Sequence, residues 1–409
     1  MKIRRCIKVL SIAIGITFIM GCEKEELIPN LGFLEVNLTL ADGLSNITLN
    51  GVKITITNNV DNSELTEITT IEGKVVFDNL PIASYNLVAN KTTNDIILVA
   101  SKSNIQIKRQ EIITENITIN ASNTDGGLVI KEVYYVGSNY VTLFKDQFIE
   151  IFNNASETLY ADGIYIANLG GNTGESANQV PIKDVLPFGD FVYADLIDKI
   201  PGDGDDYPIA PGKSIVIALN AINYKENSTD SKDIDNTDVT LERYSVKWLE
   251  DQGRSGNTFF DLDNPQVPNM DNVYIFDATN FYRFYIGGAG IALISADANF
   301  SSDDIVDYQR PGFSSVFKYM KVPVDQVLDA LEILANSQAS EFKRFPDVLD
   351  AGFNFINADN IGAYSGKSTR RKKDENASIR FGRVILQDSN NSTIDFETID
   401  APDKYGYNQ

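Results

Sequence analysis

Carboxylates are the side chains this sequence supplies in the numbers that acid-base or cation-binding chemistry needs. Its 409 residues include 57 Asp and Glu, and no histidine. Without an imidazole, Ser-His-Asp and Cys-His nucleophilic mechanisms are excluded, together with the usual zinc and haem ligand sets. Two acids alone can still cleave a glycosidic bond, one protonating the leaving oxygen while the other attacks or activates water. Glu132 and Glu150 fall on neighbouring β-rich segments and are the candidate pair. Clustered carboxylates can instead hold a hard cation. Asp203-Gly204-Asp205-Asp206 in a Gly/Pro loop, Asp261 with Asp263, and Asp303-Asp304 with Asp307 offer oxygen ligands of the kind Ca2+ uses, without EF-hand spacing. Asp203, Asp205 and Asp206 form the preferred calcium site. Ser315 and Lys318 have the Ser-x-x-Lys spacing of a nucleophile and its base, a pattern short enough to arise by chance in a chain of this length. Gly362 to Ser368 is one residue too short for a phosphate loop.

Rings and basic residues offer recognition rather than turnover. Phe281-Tyr282-Arg283-Phe284-Tyr285 reads as a strand in which alternate rings face the core and the others are free to stack on a sugar or anchor a partner. Tyr282 and Phe284 are the candidate ligand-binding rings. Lys367, Arg370, Arg371, Lys372 and Lys373 form a basic run in an acidic chain, a candidate docking patch for an acidic partner or lipid head groups.

Composition restricts the partners. Basic residues number 35 against the 57 acids, so the chain repels phosphate backbones and nucleic acid is excluded as a partner. The first residues explain where such a protein works. Lys2, Arg4, Arg5 and Lys8 precede an apolar run from Val9 to Met20, the pattern of a secretory signal and too short to span a bilayer. The end of that run, Ile19-Met20-Gly21-Cys22, resembles a bacterial lipobox. The resemblance implies a signal peptide over residues 1–21, lipidation of Cys22 and an acylated tether over 22–30. Glu23-Lys24-Glu25-Glu26 resembles the surface-export signal of Bacteroidetes lipoproteins. Cys6 lies inside the signal, which leaves Cys22 as the one cysteine of the mature chain and no internal disulfide.

The elements that must position these groups are strands. Leu34, Val36, Leu38 and Leu40 alternate with polar residues, as do Val52, Ile54 and Ile56. Gly51-Val52-Lys53-Ile54, Gly73-Lys74-Val75-Val76-Phe77, Leu80-Pro81 and Ser84-Tyr85 resemble a carboxypeptidase regulatory-like, transthyretin-type domain over residues 31–120, with Ser84 standing where that family has glycine. The resemblance implies a spacer or binding platform with no catalytic residues. A polar stretch from Ala121 to Gly127 marks a boundary. Beyond it, Gln147 to Asn153, Gly163-Ile164-Tyr165-Ile166 and Ala210-Pro211-Gly212 before an apolar run resemble a lamin-tail domain over 128–409. Ser392 to Pro402 would close it, and residues 222–380 would be insertion. Pro323 followed by Val324, Val327, Leu328, Leu331 and Leu334 predicts one helix in that insertion. The expected fold is therefore all-β: two immunoglobulin-like or transthyretin-like β-sandwich domains, the second with a large insertion containing a short helix.

Taken together the chain resembles an uncharacterised family of Bacteroidetes outer-membrane lipoproteins. The expected role is a lipid-anchored binding or accessory protein facing the cell exterior, working beside a TonB-dependent outer-membrane receptor in nutrient or metal capture. A histidine-free glycan hydrolase using paired carboxylates and a structural or adhesive surface protein are the alternatives. Enzymatic activity is not expected.

Overall fold

The computed structural model describes residues 31–407 except 41–43, 45–46, 62, 93–96, 123–125, 139–143, 177, 227–233, 277–278, 280, 310, 313 and 315. The signal, Cys6, Cys22 and Ser315 thus lie outside the described residues. Period-two alternation becomes strand wherever it occurs in the first part: Leu34, Val36 and Leu38 of β1 (Leu31–Leu40) point inward while their neighbours stay partly exposed. β2 (Lys53–Asn58), β3 (Glu64–Ile68), β4 (Lys74–Pro81), β5 (Ser84–Thr92), β6 (Ile97–Gln106) and β7 (Ile112–Ser122) complete one sheet in the order β3-β2-β5-β6-β7-β1-β4. β1 runs parallel to β7 and antiparallel to β4. Their inward side chains, among them Ile54, Ile56, Phe77, Leu87 and Ile119, form a core of their own.

The second part is woven from shorter pieces. In chain order these are β8 (Leu128–Tyr134), β9 (Phe148–Asn153), β10 (Leu159–Tyr160), β11 (Tyr165–Leu169), β12 (Phe191–Lys199), β13 (Pro208–Ile209), β14 (Ser214–Ala218), β15 (Leu241–Glu242), α1 (Val246–Asp251), β16 (Asp271–Ile275), β17 (Gly290–Ile294), β18 (Ile305–Gln309), β19 (Val316–Pro323), β20 (Val327–Glu332), β21 (Ser368–Arg371), α2 (Glu375–Phe381), α3 (Ser392–Asp395) and β22 (Phe396–Ile399). One sheet runs β15-β14-β9-β8-β21-β22. Another runs β18-β19-β12-β11-β17-β20, with β16 also pairing β12, and β10 pairs only β13. Ile130, Ile149 and Ile151 of the first meet Ile166, Leu293 and Leu331 of the second in a shared core.

The expected all-β fold is present, and its α-helices are short. The stretch 222–380, expected as an insertion with a short helix, contains α1 and most of α2 and also supplies strands to both large sheets of the second part. One detail differs. The helix predicted from Pro323 does not form: Val324–Gln326 makes one 3-10 turn and the chain continues as β20, antiparallel to β17. The free edge of β17 presents backbone N–H and C=O groups that need partners. Satisfying them outweighs a helical spacing of apolar residues whose β-branched members already favour strand.

Candidate functional site

β12 is the strand that organises the best-formed site. Its register against β11 slips by one: Asn168 lies opposite Leu196, and Leu169 opposite Ala194. Asp195 is the extra residue, a β-bulge, and such bulges re-aim a side chain out of the regular pleat. The other edge of β12 changes partner at the same point, from β19 up to Ala194 to β16 from Leu196 onward. The Asp195 carbonyl accepts from Phe276 N at 2.8 Å. Its carboxylate accepts from Asn168 Nδ2 at 3.1 Å. Burial pushes this carboxyl up to about 7, against the opposing pull of the Arg344 guanidinium, the Asn168 bond and Arg283.

Arg283 arrives on the irregular segment between β16 and β17, which Gln147, Arg243 and Arg254 hold in place. Gln147 clamps Phe284 from both sides, its Oε1 accepting from Phe284 N at 3.0 Å and its Nε2 donating to Phe284 O at 2.9 Å. Arg243 lies over Tyr282, its Cζ 3.5 Å from the ring centroid, and pairs with Asp198 at 3.4 Å. Arg254 donates to the carbonyls of Ile275, Phe276 and Thr279. Anchored in this way, the segment turns Arg283 into a cavity of about 250 Å³ that Asp195, Asn168, Thr173, Tyr285 and Arg344 also line. The Arg283 guanidinium lies against the rings of Phe144, Phe281 and Tyr285. It makes no hydrogen bond or ion pair among the described residues, and burial lowers its pKa.

Arg344 is tied differently. Its Nε donates to Glu332 Oε1 at 2.9 Å and its Nη2 to the Ile333 carbonyl at 2.7 Å, so its position is set by a buried ion pair. Tyr285 hydrogen-bonds Glu175 at the rim, and burial pushes its hydroxyl up to about 12. Gly288, with φ +127°, lets the chain pass the Ile333 carbonyl, which a Cβ would approach to 2.4 Å. Chemically the site presents a cation uncommitted among the described residues, a carboxylate able to hold or release a proton near neutrality, and amide and hydroxyl groups. That inventory suits binding of a small polar molecule.

The residues singled out by sequence fall elsewhere. Tyr282 and Phe284 are buried in the shared core, so they offer no face to a ligand, and the segment carrying them is not a strand. Only Tyr285 of that run is substantially exposed, at 40 %. Asp203, Asp205 and Asp206 all face solvent but are not drawn together, and among the described residues no three His, Cys, Asp or Glu side chains are grouped to hold a metal. The physical reason lies beneath the loop. Buried Asp162 receives the N–H groups of Gly204, Asp206 and Tyr207, and Asp206 turns back to accept from Asp203 N, so inward-facing donors occupy the place a cation would take.

Glu132 and Glu150 do meet. They stand directly opposite each other across β8 and β9, because a bulge at Lys131 turns both Lys131 and Glu132 to the outer face. Both acids are fully buried. The C-terminal segment covers them: Asp403 N donates to Glu132 at 3.0 Å, Tyr405 N to Glu150 at 3.2 Å, and Lys131, paired with Glu150 at 2.8 Å, donates to the Gly406 carbonyl. Burial pushes Glu132 up to about 7, and burial also raises Glu150. The basic run is likewise consumed internally. Arg371 is buried against Asp329, Arg370 holds Glu397 and Asp403, Lys373 pairs with Glu375, and Lys372 donates to the Ile394 carbonyl. Sequence reasoning missed Asp195, Arg283 and Arg344. A lone acid inside the apolar run Phe191 to Ile197 was the available signal for the first. Nothing local marks the arginines.

A family model described as "Protein of unknown function (DUF4876)" matches residues 210–403, and one described as "Prealbumin-like fold domain" matches residues 35–123. The crystal structure of a DUF4876 family protein from Bacteroides thetaiotaomicron is 24% identical over 89% of this chain and 94% of that one, with a TM-score of 0.55. At that identity the likeness is one of fold. The Bacillus anthracis TIE protein (14% identity, 46% of this chain, 28% of that one, TM-score 0.19) and the major pilin SpaD of Corynebacterium diphtheriae (11%, 47%, 62%, TM-score 0.18) are similar only at a level that carries no argument. No curated protein matches the chain. The chain therefore carries a prealbumin-like stretch followed by one that matches the DUF4876 family model, in a fold shared with the Bacteroides thetaiotaomicron protein.

Proposed function

We propose that this is a binding protein displayed at the cell surface, tethered through lipid on Cys22, and that the cavity at the Asp195 bulge receives a small polar ligand. One observation carries the reading: the half-buried Arg283 guanidinium lines that cavity with no hydrogen bond or ion pair among the described residues. Removing an arginine from water without a counter-group is costly, so a site that keeps one uncommitted is built to receive acceptors from outside. Support for binding rather than turnover comes from the acid pair. Glu132 and Glu150 are fully buried beneath the C-terminal segment, where a glycan has no approach. An outer-membrane transporter, of the TonB-dependent kind, is the partner such a surface protein would serve.

The anchor is tested by palmitate labelling of the wild type and of Cys22→Ser. Label and membrane fractionation are expected for the first and lost in the second; unlabelled wild type would remove the tether. Among the described residues no helix is long and apolar enough to cross a membrane. The binding site is tested by thermal-shift screening of small polar metabolites against the full chain and Arg283→Met. Ligand present at a hundred times its Kd stabilises by about 2.7 kcal/mol, enough to read easily. A shift seen in the wild type and absent from the variant supports the reading, and a panel that shifts neither sinks it.

A further inference from the structure

We infer that the ligand of the cavity is a small hydroxylated carboxylate, of the size and chemistry of a single sugar acid; this rests on the binding-site reading above. The hydrogen-bond inventory of the cavity makes the choice. The unused donors among the described residues are the Arg283 guanidinium, with five N–H groups in a planar fork, and Arg344 Nη1, while Arg344 Nε and Nη2 are committed to Glu332 and Ile333. Unused acceptors line the same cavity. Asn168 Oδ1 is buried without a partner, and the Asp195 carboxylate takes only Asn168 Nδ2 and its own backbone N–H among the described residues.

Three ligand classes meet that inventory differently. A bare anion such as phosphate satisfies the arginines but sets its charge against Asp195 and leaves Asn168 Oδ1 unanswered. A neutral polyol satisfies Asn168 and Asp195 but brings no carboxylate to the N–H fork of Arg283 in a partly buried place. A hydroxy acid satisfies both sides at once, its carboxylate on the guanidinium fork and its hydroxyls donating to Asp195 and Asn168. Size agrees. A space of about 250 Å³ lies just under the range typical of drug-sized ligands and suits one monosaccharide-sized molecule. The Phe281 and Tyr285 rings that flank Arg283 supply an apolar wall for the C–H face of such a molecule.

Calorimetric titration of the detergent-solubilised full chain with glucuronate, glucose, inorganic phosphate and glycine tests this. Glucuronate is expected to bind at least about tenfold more tightly than the other three, the worth of one charge-assisted hydrogen-bonded contact. Arg283→Met is expected to erase that margin without lowering the unfolding midpoint of the free protein, which separates a lost contact from a damaged fold. Binding of glucose or phosphate as tight as that of glucuronate overturns the assignment, as does glucuronate affinity that Arg283→Met leaves intact. Tighter binding of phosphate or glycine that depends on Arg283 refutes the hydroxy acid and keeps the binding site. If none of the four probes binds, the hydroxy acid is refuted, and the metabolite screen with Arg283→Met decides the site by itself.

Discussion

Replacing Asp329 by leucine should unfold the second part of the chain more easily by about 4 kcal/mol and leave the first part untouched. Asp329 lies on β20 in one sheet and reaches Arg371 on β21 in the other, through Nη2 contacts of 2.7 and 2.6 Å to its two oxygens. It also accepts the Ile130 N–H of β8 at 2.6 Å. Both side chains are buried. Removing one partner of a buried pair costs about 3–5 kcal/mol, because the other charge stays behind uncompensated. Here Asp388 at 3.3 Å and Asp395 at 3.8 Å still face Arg371, which places that part near the lower end. The orphaned Ile130 N–H adds about 1 kcal/mol or more. Urea unfolding followed by circular dichroism, with Trp248 fluorescence reporting the second part alone, measures the change. The double variant Asp329→Leu with Arg371→Met should lose less than the sum of the single variants, since neither charge is then stranded. A single-variant loss under about 1 kcal/mol, or strict additivity, would refute the account of the pair as the clamp between sheets.

Acidification from pH 8 to pH 5 should raise the melting temperature. Burial lifts Glu132, Asp198, Glu242 and Asp350 to about 7 from ordinary values of 4.5 or 3.8. Between those limits the folded chain binds protons that the unfolded chain releases, so stability grows as pH falls through 7 and the gain is complete near 4. A gain of several degrees by scanning calorimetry is expected, and a midpoint that drops by pH 5 contradicts it. Deleting residues 402–409 should cost roughly 3 kcal/mol in the second part, because Glu132, Glu150 and Lys131 each lose a backbone partner in a buried place. Limited proteolysis should then open that sheet first; wild-type resistance in the truncated chain would show that the segment contributes little.

Much of the architecture was legible in the chain because alternation is local. Leu34, Val36 and Leu38 dictate which face of β1 is buried without reference to any other residue, and the same holds for Ile54 and Ile56 in β2. The strands Leu128–Tyr134 and Phe148–Asn153 were legible as apolar runs, and the pairing of their two glutamates follows from their adjacency. What alternation cannot reveal is a residue inserted out of step. Asp195 reads as a lone acid in an apolar run, and nothing local marks the bulge that β11 and the two strands on the far edge of β12 force there.

By itself the sequence determined the chemistry that is excluded, through the absence of histidine, and the β character, through a period that each strand carries in its own residues. Only the tertiary structure decided which polar side chains are spent. Arg371 and Arg344 disappear into ion pairs, the exposed acids of 203–206 close a turn around Asp162, and Tyr282 and Phe284 go to the core. Arg283, embedded in what reads as a run of rings, is left without such a partner among the described residues. The reason is that a charge is committed or free according to what lies within about 4 Å of it, and those neighbours come from strands far apart in the chain.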